Sequence, residues 1–383
     1  MTRIYLDHAA TTPVRREVLD AMLPFLEAPA YNPSSLHAEG RAARDAVDRA
    51  RDTIAACIGA LRKEIVFTSG GSEADTLALV GAAKAARGRK HVVVSAIEHH
   101  AVLHAARALV DDGFDVTTVT VDANGVVEPA AFSAALRDDT AVASIMYANN
   151  ELGTIQPIRE LGTLAHERGA LFHTDAVQAA TFLRMDVSEL GVDMLTLSAH
   201  KYYGPKGVGA LYVRSGTPVI PIVHGGSQEF SLRAGTENVA GIAGFACALE
   251  LAVREAPIER TRLATLRERL ESLLLTVDGI RVNGAAAPRL PHISNCSFLG
   301  VESEQLLLRL DLEGVAVSSG SACASGTLEP SHVVAALGLP DEWMRAVIRF
   351  SLGHTTSEEQ VDRAAQVTLR ALADLRAISS LPT

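Results

Sequence analysis

Short apolar runs and longer runs with helical spacing follow one another through the first two-thirds of the chain. EIVFTS (64–69) reads as a strand and EADTLALVGAAKAA (73–86) as a helix, and HVVVSAIE (91–98) with HAVLHAARALV (100–110) repeats the pair. VTTVTVD, AVASIMYAN and ALFHTD are three further β-rich runs, followed by DMLTLSA and GALYVR. Strands alternating with helices of about 10–15 residues predict an α/β fold, with a mostly parallel sheet covered by helices on both faces.

The pattern changes near residue 255. A charged amphipathic stretch, ERTRLATLRERLESLLL (259–275), predicts a long helix; HISNCSF and AVIRFSLG predict strands, and an Ala/Arg-rich helix follows. We therefore expect a large domain over 15–255 and a smaller α+β domain over 256–383, joined by 1–14. No internal repeat or low-complexity segment interrupts them.

Composition narrows the function. With 35 Lys plus Arg against 45 Asp plus Glu, the net charge is −10, which argues against nucleic acid or an anionic membrane surface as a partner. No apolar run approaches the ~20 residues that span a bilayer, and MTRIYLDHAATTP lacks the apolar core of a secretory signal. The four cysteines (Cys57, Cys247, Cys296 and Cys323) are far apart and form no CxxC pair. That spacing opposes a disulfide framework or a zinc ribbon, and the expected location is the cytoplasm. His100 and His104 share a helix face, but the glutamate of H-E-x-x-H is missing, so no zinc site is expected.

Four segments carry candidate chemistry. TSGGSEAD (68–75) puts a glycine pair and Ser72 between a strand and a helix, where backbone N–H groups can approach an anion; an ordinary turn with Ser72 as N-cap explains it equally well. HTDAVQAA (173–180) reads as a capping arrangement of Asp175 and Gln178, or as an acid facing a pyridinium nitrogen with Gln178 near a phenolic oxygen. SAHKYYGPKGVGALYV (198–213) offers Lys201 at a strand end, with Lys206 as its competitor. A lysine that condenses with a carbonyl must be partly neutral, through desolvation or a nearby cation. Cys323 stands apart from the other cysteines. Its run, SSGSACASG, is small and polar with almost no apolar anchoring, which predicts a mobile loop and an available thiolate. The other three sit among aliphatics or in a strand, as buried cysteines do.

These segments and YLDHAATTP, NPSSLHAEGR, EHHAVL, YANNELGTIQPI, RAGTENVAG and IRFSLG occur in the order found in one family. The chain resembles the cysteine desulfurases of the NifS/IscS type, class V aminotransferase-like enzymes of the PLP-dependent transferase fold type I. The resemblance implies pyridoxal 5'-phosphate carried by Lys201, with Gly71, Ser72, Ser198 and His200 at its phosphate. It implies His99 stacked on the ring as an acid or base, Asp175 and Gln178 on the ring's polar atoms, and Asn150 near ring and substrate. Thr236 would reach the phosphate of a neighbouring subunit in a homodimer, and Arg349 would clamp the carboxylate of L-cysteine. Cys323 would receive the sulfur as a persulfide and pass it to an acceptor protein, an iron–sulfur scaffold or a thiolation carrier. No resident metal is expected; the one metal role left open is a transient iron–sulfur contact through persulfidated Cys323. Selenocysteine lyase and small amino-acid aminotransferase are alternative activities on the same scaffold, and a non-catalytic sulfur-assembly scaffold is a third. Thr76 stands where many relatives have Asn.

Overall fold

The computed structural model describes residues 3–27, 32–319 and 331–379. The strands in chain order are β1 (Ile4–Tyr5), β2 (Ile65–Thr68), β3 (His91–Ser95), β4 (Asp115–Val119), β5 (Thr140–Ser144), β6 (Leu171–Asp175), β7 (Met194–Ser198) and β8 (Gly209–Val213). They are followed by β9 (Ile280–Val282), β10 (Ile293–Phe298), β11 (Val315–Ala316), β12 (Ser318–Ser319) and β13 (Val347–Ser351).

Seven of them form one sheet in the order β2-β8-β7-β6-β5-β3-β4. All neighbours are parallel except β8, which runs antiparallel to both β2 and β7. This is the mostly parallel, mixed sheet expected from the sequence. The central strands are buried on both faces, so they read as continuous apolar runs. Val93 of β3 packs on one side with Phe172 and Leu195, whereas Val92 and Val94 pack on the other with Leu77, Leu109 and Leu211.

A smaller antiparallel sheet has the order β12-β13-β10-β9, and β1 pairs in parallel with β11. The link between the sheets is a helix of 36 residues, Val239–Leu274, with Pro257 inside it. Sequence spacing had marked only 259–275, because VAGIAGFACALEL is apolar all round and a proline reads as a break. This helix packs against Arg16–Glu27, Ala38–Ile58 and the C-terminal Glu358–Ser379 helix.

One loop departs from ordinary backbone geometry. Glu229, Phe230 and Ser231 have φ of 44°, 57° and 64°, a left-handed run that costs non-glycine residues energy. Arg51 holds it: both of its terminal nitrogens reach the Glu229 carboxylate at 2.7 Å, and its guanidinium lies 4.6 Å from the Phe67 ring and 5.1 Å from Phe230. Glu229 also accepts from Phe67 N at 2.8 Å. Arg51→Met leaves the Glu229 carboxylate buried without its cation, a change that costs about 3–5 kcal/mol. Denaturant unfolding should show that loss, and R51M/E229Q should recover part of it.

Candidate active site

The C-terminal ends of β2, β3, β5, β6 and β7 all open on one cavity of about 340 Å³, and Arg349 of β13 also lines it. Beyond β2 the chain turns through Gly70 and Gly71 into the Gly71–Thr76 helix. Space at Gly71 is tight: a Cβ there would lie 3.1 Å from Val177 Cγ2 and 3.5 Å from Ser198 Cβ, so a side chain would have to push the Val177 methyl aside. Ser72 lines the cavity beside it. Thr76 Oγ1 bonds back to Ser72 O at 2.7 Å, so this position serves its own helix.

Beyond β3, His99 caps the His100–Asp111 helix, its Nδ1 accepting from Ala101 N at 3.2 Å. Burial, reinforced by Lys201, pushes its pKa down to about 4, so the ring is neutral near pH 7. Glu98 next to it is fully buried and takes hydrogen bonds from Ser95 Oγ and Met146 N. Burial pushes Glu98 up to about 8. Beyond β5, the Asn149 side chain accepts from the backbone of Glu151 and Leu152 at 2.9 and 2.8 Å, fixing the turn that presents Asn150 and Glu151 to the cavity.

Asp175, at the end of β6, accepts from Val177 N at 2.9 Å, and burial raises its pKa to about 6 against the pull of that N–H and of Lys201. Ser198 ends β7, and His200 and Lys201 follow it. Lys201 Nζ donates to the carbonyls of Ala9 and Ala10 at 2.6 and 2.9 Å, and Gln178 Nε2 also donates to Ala9 O at 2.9 Å. His200 Nδ1 lies 3.1 Å from Thr11 Oγ1, and burial lowers its pKa to about 4. A strap of residues 7–12 thus runs through the site.

Arg349 on β13 is 2% exposed. It donates from one terminal nitrogen to Asp7 Oδ1 at 2.8 Å and from the other to Asn150 O at 2.9 Å. Its Nε has no hydrogen-bond partner among the described residues, and neither has Asp75 Oδ1, which His173 Nε2 approaches to 3.8 Å; both residues line the cavity.

The structure brings Gly71, Ser72, His99, Asn150, Asp175, Gln178, Ser198, His200, Lys201 and Arg349 together. Lys206 is exposed and outside this cavity. Thr236 is exposed and lies outside it too, on the loop that Arg233 ties to Glu73 at 2.8 Å. Cys323 lies outside the described residues. Sequence reasoning missed Asp75, Glu151 and His332 in the cavity wall, and Asp7 behind Arg349. Glu151 and Asp7 stood inside motifs already singled out, YANNELGTIQPI and YLDHAATTP, but no local pattern gave them a role.

The chemistry of the cavity fits pyridoxal phosphate. It pairs a lysine with a fully buried carboxylate, sets a glycine turn beside hydroxyls, and keeps buried polar atoms without partners. Among the described residues, no cluster of His, Cys, Asp or Glu could hold a metal ion, and no helix is long and apolar enough to cross a membrane.

The electrostatics predict a pH effect on the cofactor-free protein. Between pH 6.5 and 8 Glu98 keeps its proton in the folded chain and has lost it in the unfolded chain, so stability falls as pH rises. Glu98 alone contributes a loss of about 2 kcal/mol over that window. E98Q should flatten this part of the profile when unfolding is followed at pH 6.5 and 8.

A family model described as aminotransferase class-V matches residues 4–364. The chain is 50% identical over 378 residues to cysteine desulfurase IscS of Dictyoglomus turgidum, covering 98% of this chain and 96% of that protein. It is 47% identical over 379 residues to cysteine desulfurase IscS of Methanosarcina thermophila, covering 99% and 94%. Among solved structures, a NifS-like protein superposes with a TM-score of 0.91 at 35% identity, covering 97% of this chain and 100% of the other. With sequence, fold and cavity chemistry in agreement, the chain belongs to the class-V aminotransferases, in their cysteine desulfurase branch.

Proposed function

We propose that this protein converts L-cysteine to L-alanine, moves the sulfur to Cys323 and delivers it to an acceptor protein. One observation carries the reading: Lys201 and Arg349, an amine and a carboxylate clamp, line one cavity together with Asp175 and His99. Pyridoxal phosphate, when bound, supplies an aldehyde that links to amines and a ring that accepts the electron pair released at Cα.

The chain's own residues divide the remaining work. Gly71, Ser72, Ser198 and His200 hold the phosphate, and Thr236 serves the phosphate of a second copy in a homodimer. Its exposure outside this chain's own cavity supports that role. With the cofactor bound, Asp175 would keep a proton on the ring nitrogen and Gln178 would bond the ring oxygen. Arg349 binds the substrate carboxylate with N–H groups left over from Asp7 and Asn150 O, a task suited to a fixed guanidinium fork. Asn150 orients the substrate beside it.

Lys201 takes the Cα proton, resting meanwhile on the Ala9 and Ala10 carbonyls. His99, neutral by burial, would lie against the ring and exchange protons with substrate. The Cys323 thiolate attacks the substrate sulfur, the Cβ–S bond breaks with its electron pair left on carbon, and a proton completes alanine. Atoms balance without an oxidant: cysteine plus thiol gives alanine plus persulfide.

Residues 15–255 form the large domain of this reading, and 1–14 with 256–383 the small one; the pairing of β1 with β11 supports that division. Free thiols at Cys57, Cys247 and Cys296 support a cytoplasmic location. The test is to give the cofactor-loaded protein L-cysteine without reductant. Alanine and protein-bound sulfane sulfur should appear in equal amounts; a 2-oxo acid in place of alanine would overturn the reading.

A further inference from the structure

We propose that Glu151 balances the charge of Arg349: when a substrate carboxylate pairs with Arg349, Glu151 takes up a proton, so substrate binding is coupled to proton uptake. The inference rests on Arg349 being the carboxylate clamp.

The geometry is compact. Glu151 is 2% exposed and lines the same cavity as Arg349. It follows Asn150, whose carbonyl already accepts from the Arg349 guanidinium. Its Oε2 accepts from Ser331 Oγ at 2.6 Å, and it feels Arg349 through space. Arg349 is already matched one-to-one by Asp7 at 2.8 Å. A substrate carboxylate is then a second anion on that cation, and an ionised Glu151 would be a further negative charge in the same cavity, where Arg349 and Glu151 are both buried. Buried like charges do not all ionise; one takes a proton.

Glu151 is the group placed to do so. Burial raises it to about 7, while the Ser331 hydroxyl and Arg349 pull the other way. Ser331 bonds it and Arg349 on β13 acts on it through space. His99, His100, His332, Asp75, Asp175 and Lys201 line the same cavity, and Asp7 on the strap pairs with Arg349. Burial lowers His99, His100 and His332, so they bring little positive charge at pH 7. An incoming carboxylate cancels the field of Arg349 and pushes Glu151 higher still. Below pH 7 Glu151 already holds its proton and binding takes up none; above pH 7 binding draws in up to one.

The probe is 3-mercaptopropionate, which has the carboxylate and thiol of the proposed substrate but no amine. Titration calorimetry of the holoenzyme in buffers of different ionisation enthalpy should show close to one proton taken up at pH 8 and almost none at pH 6. Affinity should weaken about tenfold per pH unit above 7. Glu151→Gln should flatten both profiles. Ser331→Ala keeps the carboxylate but removes its hydroxyl partner, so the uptake window should move to higher pH; this variant tests the proposal even if E151Q folds poorly. No proton uptake by the wild type between pH 6 and 9, or equal uptake by E151Q, would overturn it. Arg349→Gln separates the two readings. Lost binding in R349Q without proton uptake in the wild type overturns this inference alone, whereas unchanged binding in R349Q overturns the carboxylate clamp and the inference with it.

Discussion

Lys201→Ala leaves a folded protein that turns L-cysteine over about 10⁴-fold more slowly, the scale on which a positioned acid–base group contributes. The side chain ends in the cavity, with its Nζ on two strap carbonyls. Removing it takes no apolar packing from the core, so circular dichroism and the melting transition should stay near wild type. What disappears is the base beside Cα and the covalent tether for the cofactor. Borohydride reduction of the wild type followed by peptide mapping should label Lys201. In Lys206→Ala the label should stay on Lys201; a label on Lys206 in the wild type would sink the assignment. A small exogenous amine should restore part of the activity of K201A, because the cavity that held the side chain is left open.

Cys323→Ala should lower alanine formation by about 10³-fold and abolish protein-bound sulfane sulfur, since the thiolate is the nucleophile. The argument runs through the other thiols. Burial pushes Cys57 up to about 11 and Cys296 to about 12, and it raises Cys247 as well. At pH 8 about one Cys57 in a thousand is ionised, far fewer than in a thiol at its ordinary pKa near 8.5. Cys57→Ala and Cys247→Ala should therefore leave sulfur transfer intact. Cold-cyanide release of thiocyanate from the loaded enzyme measures the outcome, and wild-type sulfur loading in C323A would end the persulfide relay.

The α/β class was legible because each central strand is a short apolar run followed by a helix with a polar face, and both properties are local. The antiparallel entry of β8 between β2 and β7 was not, because a strand's neighbours are set by tertiary pairing and leave no mark on its own residues. The same division runs through the site. His99, Asp175 and Lys201 could be found from their places at strand ends and in motifs. The choice of Lys201 over Lys206 rested on motif order; in the fold Lys201 turns directly off β7 into the cavity, while Lys206 lies past a Gly–Pro turn on the surface. Asp7 could not be found this way. Its value lies in a contact with Arg349 across 342 positions of chain, and an isolated aspartate near the N-terminus carries no trace of that.

That contact bears on how the protein is made. On a ribosome, residues 7–12 emerge long before β13, so the nascent chain can build its large sheet while the cavity still lacks Arg349 and Asp7 still lacks its cation. A cofactor that binds during synthesis meets a half-walled pocket. Substrate binding waits for the last strand of the smaller sheet to bring in Arg349, so turnover, unlike capture of the cofactor by residues earlier in the chain, is a checkpoint on complete synthesis.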